Sequence, residues 1–141
     1  MADDGSDFAR SMSIATSGLR AQAGRMRVIS ENIANADSTA PTAGADPYRR
    51  KVPTFSSALD RSLDARVVKL GKVRPDQSAF RIKHEPSNPA ADRAGNVKYP
   101  NVNPLVEMTD MREAQRSYEA NLNIISATRR MIQRTLDILK A

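Results

Sequence analysis

His84 is the only histidine of the chain, and there is no cysteine. Disulfides, a zinc knuckle and thiol catalysis are therefore excluded. A single imidazole with no Asp or Glu at ligand spacing makes no metal site. Asp60 and Asp64 are an i, i+4 carboxylate pair, but their segment holds no base or nucleophile to work with them, so they read as surface charge. Gly71 and Gly95 stand alone, so no glycine-rich loop can cradle a phosphate. Arg129, Arg130 and Arg134 form a basic run flanked by Glu119 and Asp137, which reads as a solvated helix face. No catalytic constellation exists in this reading, and no cofactor or metal is expected. The remaining polar candidates are amides. Asn32 and Asn35 stand where a helix ends, as a cap or αL residue does, with contact to a neighbouring subunit the alternative for one of them. Gln22 and Gln115 interrupt apolar stripes, where a polar residue either fixes helix register or sits at a solvated edge.

The elements that must carry these residues lie at the two ends. From Asn103, a fitting N-cap followed by Pro104, no further Gly or Pro occurs through Ala141. Met111, Tyr118, Ile125, Ile132 and Leu139 repeat every seven residues, with Met108, Leu122 and Leu136 as companions, and Gln115 and Arg129 break the seam. Ile124, Met131 and Ile138 make a second stripe. The segment Phe8–Ala36 repeats the design: Met12, Leu19, Met26 and Ile33 are seven apart, with Phe8, Ala15 and Ile29 as companions and Gln22 in the polar slot. Ile14, Ala21 and Val28 line its second stripe. Gly18 and Gly24 each cost this helix about 1 kcal/mol relative to Ala. A helix with two apolar faces needs neighbours on two sides, so both helices are expected to be marginal in a free monomer and to order on assembly.

Between the helices the chain turns loop-rich. Pro41, Gly44 and Pro47 forbid helix, and Tyr48 to Phe55 is extended in character. Residues 56–65 suit a short helical turn, and Val67 to Val73 a strand interrupted by Gly71. Phe80 and Ile82 alternate with Arg81 and Lys83 as a half-buried strand, a long turn follows, and Val97 and Tyr99 alternate on the return. The expected fold is mainly α: N- and C-terminal helices in an antiparallel coiled-coil-like pair, with a small antiparallel β and loop element between them. The expected segments are a leader at 1–7, helices at 8–36 and 104–141, and a loop-rich middle at 37–103.

The net charge of +6 lies wholly in that middle, where residues 41–103 carry twelve basic and six acidic side chains. Such a centre meets something acidic or simply keeps the chain soluble. The start, Met1 to Asp7, is acidic and lacks an apolar run, so no cleavable secretory signal is expected. No stretch of eighteen apolar residues exists to span a membrane.

Three stretches carry a family resemblance. Ile29 to Thr39 contains Asn32-Ile33-Ala34-Asn35, similar to the Asn-x-Ala-Asn motif that ends the N-terminal helix in flagellar rod and hook proteins. Pro47-Tyr48-Arg49-Arg50-Lys51 follows it after a turn. Tyr99-Pro100-Asn101-Val102-Asn103 runs into Glu107 to Met111 and then Arg116 to Asn121. The chain thus resembles the flagellar axial rod and hook family along nearly its whole length. It departs in the loop Ala40–Asp46, which is longer than usual, and in having Ala40 where Gly is usual.

That resemblance implies a structural subunit of the proximal rod that polymerises through its terminal helices and transmits torque. Its implied motif residues are Asn32, Ala34, Asn35, Tyr48, Arg49, Pro100, Asn101 and Asn103. Implied partners are copies of itself, other rod subunits, the junction protein at the membrane ring and export gate, and the type III export apparatus. The implied place is the periplasmic rod, reached without a cleaved leader. Two other functions compete. A sequence pI near 10.1 suggests a nucleic-acid binder, though such proteins interleave aromatics with their basic residues and here Tyr48, Phe55, Phe80 and Tyr99 are scattered. The heptads alone also suit a cytosolic coiled-coil adaptor.

Overall fold

The computed structural model describes residues 4–140, with side chains from Ser6 onward. Helix α1 spans Asp4–Ala34 and helix α2 spans Pro104–Lys140. Six short strands lie between them: β1 (Lys51–Val52), β2 (Phe55–Asp60), β3 (Ala65–Leu70), β4 (Arg74–Pro75), β5 (Arg81–His84) and β6 (Asn96–Tyr99). They pair antiparallel as three separate two-stranded ladders, β1 with β4, β2 with β3, and β5 with β6. Helix α1 begins at Asp4, ahead of the expected Phe8. The first three residues of the expected leader, and Ala141, lie outside the described residues.

Two compact units share these elements. The first comprises the chain up to Met26, Thr54–Lys72, and the chain from Glu113 onward. In it a Cβ placed on Gly18 would lie 2.8 Å from the amide of Asn121, while the Arg25 guanidinium lies 3.4 Å from Glu113. As one helix ascends from 18 to 25 the other descends from 121 to 113, so α1 and α2 run antiparallel. Met111, Tyr118, Ile125 and Ile132 are half-buried as a stripe. Their inward companions, however, lie three residues on, at Ala114, Asn121 and Thr128, whereas the apolar residues four on, Leu122 and Leu136, stay exposed. A helix of 3.6 residues per turn brings either spacing to the stripe's border. Small residues win the inner position because they let the two backbones approach.

Residues 56–65 are not helical. Strands β2 and β3 form a hairpin there, with Asp60 pairing Ala65 and Ser57 pairing Val68. The Asp60 carboxylate accepts from the Ser62 backbone N–H at 3.0 Å and from its hydroxyl at 2.6 Å, fixing the turn. Asp64 takes a left-handed conformation at φ 46°, which closes the tip. Local polar chemistry at the tip thus overrides the weak helical composition. Ala65 and Val67 are buried, and the Val68 N–H donates to the Ser17 hydroxyl at 3.2 Å, tying β3 to α1.

The second unit comprises Arg27–Pro53 and Val73–Arg112. Ala90, Val97 and Tyr99 form its small apolar cluster. The expected burial of β5 fails at Ile82, which is exposed while Arg81 is half-buried. A two-stranded ladder has no second layer to cover Ile82, and Arg81 turns inward to carbonyl oxygens instead. Among the described residues no helix is long and apolar enough to cross a membrane.

Candidate functional site

The most constrained polar cluster of the second unit is centred on Asn32, which is 1% exposed. All its side-chain hydrogen-bonding capacity is used. The amide nitrogen donates to the Lys51 carbonyl at 2.8 Å and to Glu107 Oε2 at 3.1 Å. The amide oxygen accepts from the Tyr48 hydroxyl at 2.8 Å and from the Lys51 N–H at 2.9 Å. One asparagine near the end of α1 therefore grips both backbone groups of Lys51 on β1 and reaches the first turns of α2.

Glu107, also 1% exposed, accepts from Arg50 Nε at 2.6 Å on its other oxygen. The Arg50 guanidinium also lies 3.5 Å from Asp76 and 3.8 Å from Asp110. Burial works against the Arg50 charge, but the hydrogen bonds and charges of Glu107 and Asp76 outweigh it and raise its pKa. Asp76 is held below the usual carboxylate range chiefly by the Ser78 backbone N–H, then by the Ser78 hydroxyl and Arg50. Burial, then the charges of Glu31 and Glu107, push Tyr48 up to about 12. Lys51 pairs with Glu31 across the rim.

Asn101 is the counterpart of Asn32. Its oxygen accepts from the Arg50 N–H at 2.8 Å, and its nitrogen donates to the Asp76 carbonyl at 3.0 Å and to the Ser78 hydroxyl at 2.9 Å. Arg49 stacks over Phe80 at 4.2 Å and donates to the Asp76 and Ser78 carbonyls. Two asparagines thus read the backbone of Arg50-Lys51 from opposite sides. The arrangement transfers no group and opens no substrate cleft. It is a latch that closes β1 onto the end of α1 and the start of α2.

The structure brings Asn32, Tyr48, Arg49 and Asn101 together here. Pro100 joins through its carbonyl, which accepts from Arg81 Nε at 3.0 Å, and a second Arg81 nitrogen reaches the Ala36 carbonyl at 2.7 Å. Asn35 acts on its own helix, donating from its side chain to the Glu31 carbonyl at 2.8 Å where α1 ends. Asn103 caps α2, accepting from the Leu105 N–H at 3.1 Å. Ala34 is exposed and bonds to none of them.

On α1, Ala15, Val28 and Ile29 are buried and Phe8, Met12, Leu19, Gln22, Met26 and Ile33 are half-buried, while Ile14 is exposed. Gln22 Oε1 is buried with no hydrogen-bond partner among the described residues. On α2, Met108, Gln115, Leu122, Ile124, Met131, Leu136, Ile138 and Leu139 are all exposed. His84 is exposed, and its Nδ1 lies 3.3 Å from Asn96 Oδ1.

Sequence reasoning gave no site role to Asp76 and Arg81, and quoted Arg50 and Glu107 only within the stretches that carry the resemblance. Glu107 reads from sequence as helix-end charge. The available signal was its spacing, seven before Ala114 and fourteen before Asn121, which puts it on the inward stripe.

Two family models match the chain at its two ends. One described as "Flagella basal body rod protein" covers residues 12–40, and "Flagellar basal body rod FlgEFG protein C-terminal" covers 93–138. The chain is 56% identical over 128 residues to the flagellar basal-body rod protein FlgC of Agrobacterium fabrum, covering 91% of this chain and 92% of that one. It is 38% identical over 145 residues to FlgC of Bacillus subtilis, with 92% and 97% covered. The chain belongs to the FlgC family of flagellar basal-body rod proteins. FlgC of Salmonella typhimurium is 38% identical over 125 residues, covering 89% of this chain and 92% of that one. The FlgC-family chain is a structural subunit of the flagellar basal-body rod rather than an enzyme. The latch lies within and between the two matched ends, with Asn32 in one and Asn101 and Glu107 in the other.

Proposed function

We propose that this rod subunit polymerises through the outer flanks of α1 and α2, within the proximal rod, as part of a shaft that transmits torque. The observation that carries the reading is an inversion on α2. Small and polar residues (Ala114, Asn121, Thr128) face inward, while large apolar ones (Leu122, Ile124, Met131, Leu136, Ile138) face out. Contiguous apolar stripes exposed on a chain of this size mark an association surface. Phe8, Met12, Leu19, Met26 and Ile33 on α1, and Met111, Tyr118, Ile125 and Ile132 on α2, form the borders of those stripes.

The latch supplies what a shaft needs beyond adhesion. A buried, fully bonded polar cluster resists sliding, because breaking it leaves desolvated groups unpaired. In this reading the neighbours are other copies, other rod subunits and the junction protein at the membrane ring. The chain reaches the periplasm unfolded through the type III export apparatus. The test is Leu122→Asp together with Ile124→Asp in a motile strain. We expect secretion of the chain to persist while rod completion and motility fail; intact motility would contradict the proposal.

A further inference from the structure

The first unit holds a groove of about 590 Å³ between α1 and the β2–β3 hairpin, lined by Met12, Thr16, Arg20, Val67, Lys69 and Leu70. Its aliphatic lining comes from Met12, Ala21, Val67, Val68 and Leu70, hydroxyls of Ser13, Thr16 and Ser17 stand among them, and its cations are Arg20 and Lys69. Asp60 also lines it, but that carboxylate is engaged by Ser62. Elsewhere in the same unit, Ile138 and Leu139 are 75% and 76% exposed, with Leu136 exposed beside them and Asp137 among them. Such a turn offers apolar side chains to the groove's aliphatic residues and one carboxylate to its two cations.

The chain's own turn cannot fill the groove. The contact of Gly18 with Asn121 sets the groove at the level of Asn121, and Leu136 lies fifteen residues further along α2, about 22 Å away. We infer that the groove receives the Leu136–Leu139 turn of a second copy, with Asp137 against Arg20 and Lys69. The contact joins two different surfaces, so it is heterologous, and the stagger of about 22 Å it sets between successive copies along the helix direction makes it an open series rather than a ring. It rests on the assembly reading above and adds the specific site and stagger.

The chain lacks cysteine, so engineered thiols report cleanly. Full-length Thr16→Cys/Ile138→Cys, secreted and assembled into basal bodies, is oxidised and run without reductant. A ladder of disulfide-linked multimers is expected, and neither single variant gives more than a dimer. Rods that assemble but yield no ladder would overturn the groove contact while leaving the assembly reading intact. Failure of any variant to assemble despite secretion directs the test to charge. Asp137→Arg alone should reduce rod completion at least tenfold, and Arg20→Asp with Lys69→Asp should restore it. Absence of that restoration counts against the inference.

Discussion

Asn32 makes four hydrogen bonds with one amide, and its partners are themselves buried or half-buried. At about 1 kcal/mol net for each bond, plus the cost of leaving Glu107 Oε2 without that donor, Asn32→Ala should destabilise the second unit by roughly 5 kcal/mol. Asn32→Asp should do at least as much damage despite its shape, because it loses both donors and sets a second carboxylate against Glu107. Urea unfolding of the two variants checks the order. Tyr48 gives an independent pH readout. Its folded pKa of about 12 lies above the ordinary value near 10, so it stabilises the fold fully below pH 10 and loses that contribution as pH rises toward 12. Tyrosinate absorbance should show Tyr48 ionising late, and Tyr48→Phe should remove that late step. Asp76 runs the opposite way: depressed in the fold, it stabilises above its ordinary range and loses this as pH falls through it.

The paired helices show what was legible in the sequence and what was not. The heptad stripe Met111, Tyr118, Ile125, Ile132, Leu139 and the Asn103 cap followed from spacing and residue type; Asn103 caps α2 and the first four stripe residues are half-buried, but Leu139 is exposed. Which companions face inward did not follow, because apolarity favoured Leu122 and Leu136 while backbone proximity favoured Ala114 and Asn121. The hairpin at 55–70 was hidden for a different reason. Its register depends on Asp60 and Ser62 at the tip, where side-chain chemistry decides and periodicity is silent. The latch was half legible: the asparagines stood out, but Arg50 and Glu107 meet only once β1 lies across both helices. Gly18 tests the close approach. An added methyl gains about 1 kcal/mol of helix propensity, but it displaces the flexible end of Asn121, 2.8 Å away, from its hydrogen bond to the Ser117 carbonyl, a loss of about 1 kcal/mol. Gly18→Ala should therefore leave the melting temperature by circular dichroism nearly unchanged, and adding Asn121→Ala should raise it.

At the scale of the whole molecule, the chain keeps its best apolar material outside. Leu122, Ile124, Met131, Leu136 and Ile138 are exposed, while the apolar cluster of the second unit is the small group Ala90, Val97 and Tyr99. A protein built to be stable alone would reverse that allocation. A subunit that polymerises through this surface, as proposed, needs it exposed in the free chain and covered in the rod. Polar replacements on this surface should therefore cost the free chain little, within about 0.5 kcal/mol, while abolishing incorporation into the rod.

Thiol accessibility at Ile124→Cys and Met131→Cys tests that claim most directly, compared between the free secreted chain and purified basal bodies. Rapid labelling of the free chain and strong protection in the rod is the predicted result. Equal, fast labelling in both states would mean that the outer stripes of α2 are not what holds the rod together.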